Sequence, residues 1–366
     1  MEKRILILTA GFGEGHNSAA RGIREGLAAV CGGTASVELH DIFAETYGGL
    51  NEAVRRAYLA AINRAPRTWG RLYNWIDRQE KFSPKMGWLF LAKARLKRLL
   101  FRLRPTAVVV VYPAYPYLLG NILGDAPALF RQVVCITDSI TVNRIWLRGR
   151  ADLFLVPNDL TAEAIEQAGI PSEKVHTLGF PVSPKFSELG ELRQPFPAEA
   201  GLRVLHMINP GGRVAPELIR GLTNLPGVRL TVTVGRDPRL RRKIEDLRAT
   251  TGRNFEVIGW TDQMPRLLLE SHLLITKAGG ATVQEAIAAR CPMIINQVVP
   301  GQEEGNARLI VETGSGVIAT EPRAMLAAVG RAFAENGRVW REWSANISRL
   351  SRPRASLEIA ELLLAL

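Results

Sequence analysis

The chain has 366 residues, of which 47% are hydrophobic and 22% are charged. This composition is typical of a globular protein and excludes a disordered chain, and the length favours two domains. The longest apolar runs fall well below the ~18 residues of a membrane-spanning helix, and the start MEKRILILTAGFG lacks the long apolar core of a signal peptide. Three separated cysteines predict neither a disulfide framework nor a zinc cluster, so we expect a reducing, cytosolic compartment.

The first predicted strand, residues 4–9, ends in the glycine-rich sequence Gly11-Phe-Gly-Glu-Gly-His16, after which a helical period begins. Glycines at such a turn let the backbone approach a ligand and leave the N–H groups of the next helix pointing at it. The loop superficially suits a dinucleotide site, with Asp41 near the place of a ribose-binding acid, which would indicate an NAD-dependent dehydrogenase. His16 stands where that fingerprint needs a small residue, so this interpretation is disfavoured.

His16 itself follows a strand at the edge where ligands of open α/β sheets bind, and an imidazole there is placed to act as a general base. The alternative is a histidine that only caps its own helix or bonds a neighbouring loop. The surrounding glycines favour the catalytic interpretation.

Most of the net charge of +12 lies in residues 50–104, which hold 14 Lys or Arg and three Asp or Glu, interleaved with aromatic residues. Such a local excess indicates a polyanionic surface, either a membrane with acidic lipids or a nucleic acid. No nucleic-acid-binding module accompanies the segment, so we expect a membrane surface and no nucleic acid. The membrane-binding candidates are Arg55, Arg56, Arg64, Arg67, Trp69, Arg71, Trp75 and Arg78.

Residues 89–104 form an apolar stripe on a helical projection, flanked by Lys and Arg on both sides. Such a helix could lie on anionic lipid, or it could pack on the sheet of the first domain with its basic residues solvated. The sequence leaves both interpretations open. The stripe consists of Leu89, Ala92, Leu96, Leu99, Leu100 and Leu103.

β-Branched runs continue to alternate with helical patterns, first at residues 105–112, 132–137 and 151–156, and again after residue 203. Strands that alternate with helices predict an α/β fold with parallel, doubly wound sheets. Residues 179–203 are rich in proline and have no sustained period, which indicates an interdomain linker. The predicted organisation is an N-terminal domain over residues 1–185, a linker over 186–202, a C-terminal domain over 203–345 and a helical segment over 346–366. The last helix could dock on either domain.

The second half contains a more specific glycine loop. A predicted strand delivers Lys277 and Gly279-Gly280 to the start of a helix, where backbone N–H groups and the helix dipole can hold a diphosphate without a metal. Glu285 follows in the helix, and its carboxylate could accept the hydroxyls of a ribose. The alternative is structural, because Thr282 and Glu285 also match a capping box.

The next strand is followed by the loop Pro300-Gly-Gln-Glu-Glu-Gly-Asn306, which offers amide and carboxylate groups to sugar hydroxyls. Together the two βα loops predict one sugar-nucleotide pocket. No metal-ligand set is visible, and no cofactor is expected.

At these residues the chain resembles the inverting, two-domain glycosyltransferases that include monogalactosyldiacylglycerol synthases and processive diacylglycerol glucosyltransferases. It is more distantly similar to the transferase that adds N-acetylglucosamine to the lipid-linked peptidoglycan precursor. The resemblance covers nearly the whole chain through TAGFGEGHNSAARGI, TDSITVNRIW, GIPSEKVHTLGFPVSPKF, GWTDQMP, KAGGATVQEA and PGQEEGNA. It implies the GT-B fold, with two Rossmann-like domains that face each other across a cleft. In this fold residues 1–185 would be the lipid-acceptor domain and residues 203–345 the UDP-sugar-binding domain.

The resemblance also implies roles for individual residues. His16 matches the proposed catalytic base, and Asp138 matches an aspartate at a strand end that is catalytic or orients the acceptor. Several relatives have a histidine shortly after that aspartate, whereas this chain reads Ser-Ile-Thr-Val-Asn-Arg, so no second catalytic histidine is assigned. The expected donor-binding residues are Gly13, Gly15, Gly212, Arg213, Trp260, Met264, Lys277, Gly279, Gly280, Thr282, Glu285, Gln302, Glu303 and Asn306.

The expected activity is the transfer of a hexose from a UDP-sugar to the 3-hydroxyl of diacylglycerol, with inversion, by a peripheral enzyme on the inner face of the cell membrane. The expected partners are therefore UDP-hexose, diacylglycerol and an anionic phospholipid surface. Three alternatives stay open: transfer to another lipid-linked or small acceptor, a sugar-nucleotide epimerase, and a module that binds UDP-sugar without turning it over.

Overall fold

A computed structural model describes residues 3–64, 89–124, 126, 128–196, 201–209, 214–301 and 303–366, with the side chains of 58–64 left out. The described chain divides into two units. The first consists of Met1–Pro184, Pro300–Gly305 and Arg352–Leu366, and the second of Lys185–Val299 and Asn306–Ser351.

The first unit contains a parallel sheet with the strand order β2-β1-β3-β4-β5-β6. Buried Ile, Leu and Val residues dominate β1 and β3, as parallel strands covered on both faces require. The order reverses between β1 and β3, which makes the carboxyl ends of these strands the topological switch point, where open α/β sheets bind ligands. The strands are β1 Lys3–Leu8, β2 Ala35–His40, β3 Ala107–Val110, β4 Arg131–Cys135, β5 Leu153–Val156 and β6 Val175–Thr177.

The helices of the first unit cover this sheet. They are α1 Glu14–Val30, α2 Ile42–Tyr47, α3 Gly49–Arg64, α4 Leu89–Leu103, α5 Ala114–Leu123, α6 Asp159–Gln167 and, from the end of the chain, the helix Ala355–Ala365. This C-terminal helix packs on α1, where a side chain at Gly26 would collide with the backbone of Ser356. The structure therefore assigns Ala355–Ala365 to the first unit, a choice that the sequence left open.

Helix α4 buries its apolar stripe in the core of the first unit. Ala92, Leu96 and Leu99 are buried against the strand residues of the core, while Leu89, Leu100 and Leu103 pack at its edge. Among its basic residues, Arg95 pairs with Glu45 and Arg102 with Glu38. The interpretation in which this stripe lies on lipid is wrong, because the sheet already covers it.

The second unit contains a parallel sheet with the order β12-β11-β10-β7-β8-β9, which reverses between β7 and β10. Its core includes Val204, Leu230, Ile275 and Ile294 from neighbouring strands. The strands are β7 Leu202–Met207, β8 Val228–Thr233, β9 Glu256–Ile258, β10 Leu273–Lys277, β11 Met293–Gln297 and β12 Gly316–Ile318.

Seven helical segments accompany this sheet in the part of the chain that is described. The first lies in the region expected to be a linker and is the short α7 Lys185–Glu188, which belongs to the second unit. The others are α8 Ala215–Leu222, α9 Pro238–Thr251, α10 Met264–Leu269, α11 Gly280–Ala288, α12 Glu304–Glu312 and α13 Pro322–Leu350, the last interrupted at residues 334–337. The predicted boundary at residue 345 falls inside α13, which continues to Leu350 before the chain returns to the first unit.

Candidate functional site

The glycine loop after β1 holds His16 in the first turn of α1. Gly13 is the N-cap residue and has φ 117°, a conformation that favours glycine. The Nδ1 atom of His16 lies 2.9 Å from the Thr137 hydroxyl, and the imidazole stands perpendicular to the Tyr112 ring at 5.1 Å between ring centroids. Residues from the ends of β1, β3 and β4 thus meet around one imidazole at the switch point of the first sheet.

Burial lowers the pKa of His16 from 6.5 to about 4, and a hydrogen bond with the backbone of Val111 acts in the opposite direction. The imidazole is therefore neutral at physiological pH. In the tautomer whose Nδ1–H donates to Thr137, the Nε2 lone pair can accept a proton. His16 bonds a neighbouring loop, as the structural interpretation expects, and its role as a base stays a prediction.

Asp138 acts on the same cluster through a tryptophan. Its carboxylate accepts a 2.7 Å hydrogen bond from the indole N–H of Trp146, and the Trp146 ring lies 6.0 Å from the imidazole of His16 between centroids. The buried indole is fixed by this bond and in turn forms one wall of the imidazole site. The catalytic or acceptor-orienting role expected of Asp138 stays a prediction.

Asp41 has a structural role that accounts for its place after β2. One carboxylate oxygen accepts from the Gly11 N–H at 2.8 Å, and the other caps α2 by accepting from the Ala44 N–H at 2.9 Å. Both oxygens are therefore engaged by backbone groups, which removes the main support for a ribose-binding acid and an NAD site.

The second glycine loop follows β10 at the switch point of the second sheet. Gly279 is the N-cap residue of α11, and no side chain caps this helix. The first turn of α11 also contains no acidic residue. Its N–H groups are therefore suited to an anion such as a diphosphate.

The capping-box interpretation of Thr282 and Glu285 is wrong. The helix begins at Gly280, so Thr282 lies inside the first turn instead of at the N-cap. Glu285 is half-buried farther along α11. Its carboxylate is consequently not part of a helix cap, and its role as a ribose acceptor stays a prediction.

A hydrogen bond from Asn306 holds the second glycine loop in place. Its Nδ2 donates to the Ala278 carbonyl at 3.1 Å, and a side chain at Gly280 would lie 3.6 Å from this nitrogen. The Oδ1 atom of Asn306 is buried without a hydrogen-bond partner among the described residues. Buried amide groups usually form hydrogen bonds. This oxygen is therefore a candidate to accept a hydrogen bond from a hydroxyl of the sugar nucleotide.

The remaining residues expected to bind the sugar nucleotide belong to both units. Lys277 ends β10, whereas Glu303 is buried and belongs to the first unit, as do Gly13 and Gly15. Trp260 is 62% exposed, and Met264 begins α10. Residues outside the described part of the chain are Gly212, Arg213, Gln302, Arg67, Trp69, Arg71, Trp75 and Arg78.

Two membrane-binding candidates can be located with their side chains on α3. Arg55 and Arg56 both bond the carboxylate of Glu52, which lowers the pKa of this acid to about 2. The Cδ atom of Arg55 would lie 3.8 Å from a side chain at Gly11, so this arginine borders the loop that carries His16. Arg64 ends the same helix, without a described side chain.

Sequence reasoning missed three residues. Thr137 and Trp146 lie at the two ends of the motif TDSITVNRIW, but only the fold brings them to His16 from more than 120 residues away. Arg236 lies over the Trp260 ring at 4.5 Å from its centroid. An exposed tryptophan followed by a helix start was the available signal for a stacking site, but nothing in the sequence pointed to its arginine.

Comparison with known proteins shows which protein families this chain is similar to. Residues 16–182 match the family described as monogalactosyldiacylglycerol (MGDG) synthase, and residues 219–331 match the glycosyltransferase family 28 C-terminal domain. The processive diacylglycerol beta-glucosyltransferase of Bacillus subtilis (strain 168) is 25% identical over 98% of this chain and 94% of that protein. A probable monogalactosyldiacylglycerol synthase 2, chloroplastic, of Oryza sativa subsp. japonica is 26% identical over 98% of this chain and 80% of its own length.

Solved structures agree on the fold. The crystal structure of Acinetobacter baumannii MurG superposes with a TM-score of 0.63 at 15% identity over 100% of both chains. The UDP-GlcNAc 2-epimerase of Neisseria meningitidis bound to UDP-GlcNAc gives a TM-score of 0.58 at 14% identity over 99% of this chain and 100% of the other. Identities this low show the fold alone.

The fold and the family matches define a glycosyltransferase with two Rossmann-like domains of the GT-B type. Residues 16–182 are thus similar to the monogalactosyldiacylglycerol synthases, and residues 219–331 to the C-terminal domain of glycosyltransferase family 28. The resemblance inferred from the motifs is thereby confirmed.

In the described part of the chain, no helix combines the length and apolarity needed to cross a membrane. The same residues contain no group of three or more His, Cys, Asp or Glu side chains arranged to hold a metal ion.

Proposed function

We propose that this protein transfers a hexose from a UDP-sugar to the 3-hydroxyl of diacylglycerol at a membrane surface, with inversion at the anomeric carbon. The observation that carries the proposal is the position of both glycine loops at the switch points of their sheets, one with a neutral imidazole and the other with an uncapped helix N-terminus. The acceptor is inferred from the relatives, which are named for diacylglycerol or its galactolipid and align along almost the whole chain.

In the proposed reaction, Nε2 of His16 accepts the proton of the acceptor hydroxyl as the hydroxyl oxygen bonds to the anomeric carbon and the bond from that carbon to UDP breaks. A positioned base of this kind contributes typically about 10²–10⁴-fold to the rate. The negative charge that develops on the leaving diphosphate is received by the N–H groups at the start of α11, with Lys277 as a further cation. Well-placed donors of this kind are worth about 3 kcal/mol each in transition-state stabilisation. The chemistry proposed here uses no metal or organic cofactor.

The uracil is proposed to bind at Trp260 and Met264, and the ribose at Glu285. The stack of Arg236 on Trp260 supports a nucleobase there, because a guanidinium and an indole both offer flat faces.

We also propose that the protein acts as a peripheral enzyme on the inner face of the cell membrane. Exposed apolar residues support a surface contact, with Leu50 and Val54 one turn apart on α3 and Phe90 and Leu91 adjacent on α4. The basic side chains within residues 50–104 would add electrostatic attraction to anionic lipid, worth about 1 kcal/mol each near the surface.

The test is an assay of radiolabelled UDP-glucose, UDP-galactose and UDP-N-acetylglucosamine with vesicles that contain diacylglycerol, with the lipid products separated by chromatography. We expect one labelled nucleotide to yield a glycosyldiacylglycerol. A matched assay with His176→Ala, a histidine on β6 of the same unit, controls for loss of folding. No lipid product with any donor would contradict the proposal.

The epimerase is the second candidate, because a UDP-GlcNAc 2-epimerase shares the fold. It predicts that the protein converts UDP-N-acetylglucosamine to an epimer or releases UDP when no lipid is added. The same chromatography of lipid-free reactions separates this outcome from glycosyl transfer.

A further inference from the structure

The first unit has a cavity at the edge of the sheet opposite the edge that carries His16. Its volume is about 880 Å³, and it is lined by residues at the start of four strands. Thr106 precedes β3, Arg131 and Gln132 begin β4, Asp152 precedes β5 and Lys174 precedes β6. Because the strands are parallel, these amino ends share one edge, and the cavity is separated from the imidazole by the length of the strands.

A buried amide in this cavity has no partner. Gln132 is only 3% exposed, and its Nε2 atom forms no hydrogen bond with any described residue. Its backbone is satisfied, because the N–H donates to Asp152 at 2.7 Å and the carbonyl accepts from the Asp152 N–H at 2.8 Å. Buried side-chain amides are normally hydrogen-bonded, so an unpaired donor that lines a cavity points to a ligand that accepts from it.

Basic residues surround this donor. The cavity is lined by Arg131, Arg150 and Lys174, against two carboxylates among its described residues, the side chain of Asp152 and the terminal group of Leu366. The Asp152 carboxylate is already engaged by the Gln132 backbone and, at 3.4 Å, by Arg131. The charge of the lining therefore favours an anion.

The rest of the lining is apolar. It includes Phe130, Ile170, Leu366 and Leu129, which is 95% exposed. A large aliphatic side chain held almost fully in water beside a basic cavity is suited to contact a hydrocarbon chain. The ligand chemistry indicated by this lining has one anionic end and one apolar end.

A cavity in the second unit offers a comparison. It has a volume of about 740 Å³ and occupies the corresponding amino edge of the second sheet, with Arg203, Arg229 and Arg253 in its lining. Two glutamates also line it, and one of them, Glu270, pairs with Arg203. None of the residues described in its lining has a buried, unpaired side-chain atom. Basic residues at an amino edge are therefore not sufficient, and the unpaired amide distinguishes the first cavity.

We propose that the cavity around Gln132 binds a single-chain amphiphilic anion. Its carboxylate or phosphate oxygens accept from Gln132 Nε2 beside Lys174 and Arg150, and its chain lies along Leu129 and Phe130. This site is separate from the donor and acceptor positions of the proposed function, since it lies at the other edge of the sheet.

The test is isothermal titration of the full chain with dodecanoate and with dodecyl phosphate, below their micelle concentrations. Dodecyl maltoside serves as a neutral probe and inorganic phosphate as a probe without a chain. We expect saturable binding of one equivalent at this site for at least one of the two amphiphilic anions, and much weaker binding of the two control probes. The tighter of the two anions identifies a fatty acid or a lipid phosphate as the source.

Variants locate the binding. Gln132→Leu removes the unpaired amide and should weaken binding at least tenfold without lowering the melting temperature, and the surface change Lys174→Gln should weaken it severalfold. Arg229→Gln, in the cavity of the second unit, is the matched control and should leave binding unchanged. Binding of both anions to Gln132→Leu and Lys174→Gln as tight as to the unchanged protein, or no binding to the unchanged protein, would overturn the proposal.

Discussion

The two glycine loops of this protein both lead from a strand into a helix, but they differ in the charge at the helix start. In the first, Glu14 lies in the first turn of α1, and the carboxylate of Asp41 already takes the N–H of Gly11. In the second, the first turn of α11 holds no acid and no capping side chain. A helix N-terminus attracts anions only where the protein has not supplied its own. The difference fits the first loop to a base and the second to a diphosphate.

The largest effect should come from the base. His16→Ala is expected to lower kcat by about 10²–10⁴-fold, because proton removal from the acceptor loses its partner. The affinity for UDP, measured by titration calorimetry, should change little. His176→Ala is the control, and equal losses of kcat in both variants would show that the effect is one of folding.

The ribose contact should come next. Glu285→Gln is expected to weaken UDP binding about 10- to 100-fold, the range for a hydrogen bond to a charged group. Since Glu285 caps no helix, UDP affinity should fall by more than folding stability, measured as the melting temperature. Glu312→Gln on α12 is the comparison, and a loss of stability with normal UDP affinity would contradict the ribose role.

One substitution tests whether the charge at the helix start decides which loop binds the diphosphate. Ala281→Glu places an acid in the first turn of α11, as Glu14 does in α1, and should weaken UDP binding about tenfold through repulsion of the diphosphate. Ala281→Gln has nearly the same shape without the charge. If both variants bind UDP alike, charge at this helix start does not decide where the diphosphate binds.

The stacked arginine should have a smaller effect. Arg236→Ala is expected to weaken UDP binding about two- to fivefold, because it removes one flat face and a cation–π contact worth about 0.5–1 kcal/mol. Arg239→Ala, an exposed arginine of α9, should have no effect. Equal UDP affinities for Arg236→Ala and the unchanged protein would separate this stack from the uracil site.

Mild acid should have the smallest effect. A base with a pKa of about 4 becomes protonated only as the pH falls through that value, so its function is retained above it. We expect the acid limb of kcat/KM near pH 4 and a constant value from about pH 5 to 7. A limb near 6.5 would show that the imidazole is not desolvated in the free enzyme.

Much of the fold could be predicted from local pattern. The β-branched runs located most strands, since buried parallel strands need apolar residues on both faces. A threonine and a glutamate three residues apart match a capping box, but the helix begins at Gly280 and its backbone does not use that cap. The stripe of α4 could not be assigned because lipid and a protein core select the same residues.

The site was predictable only where glycines or family motifs marked it. The loops that hold His16 and Gly280 were found. Thr137 lies in a family motif, but its contact with His16 was not found, because a hydrogen bond across 121 residues leaves no local signal. The unpaired oxygen of Asn306 and the role of Trp146 in fixing the imidazole site also depend on packing that spacing cannot encode.

The most direct test of the account is an NMR titration of ¹⁵N-glycine-labelled protein with UDP. If the diphosphate binds at the start of α11, the largest changes in amide chemical shift fall at Gly279 and Gly280, with smaller changes at Gly13 and Gly15. Changes confined to Gly11, Gly13 and Gly15, with none at the start of α11, would place the diphosphate on the wrong loop and contradict the account.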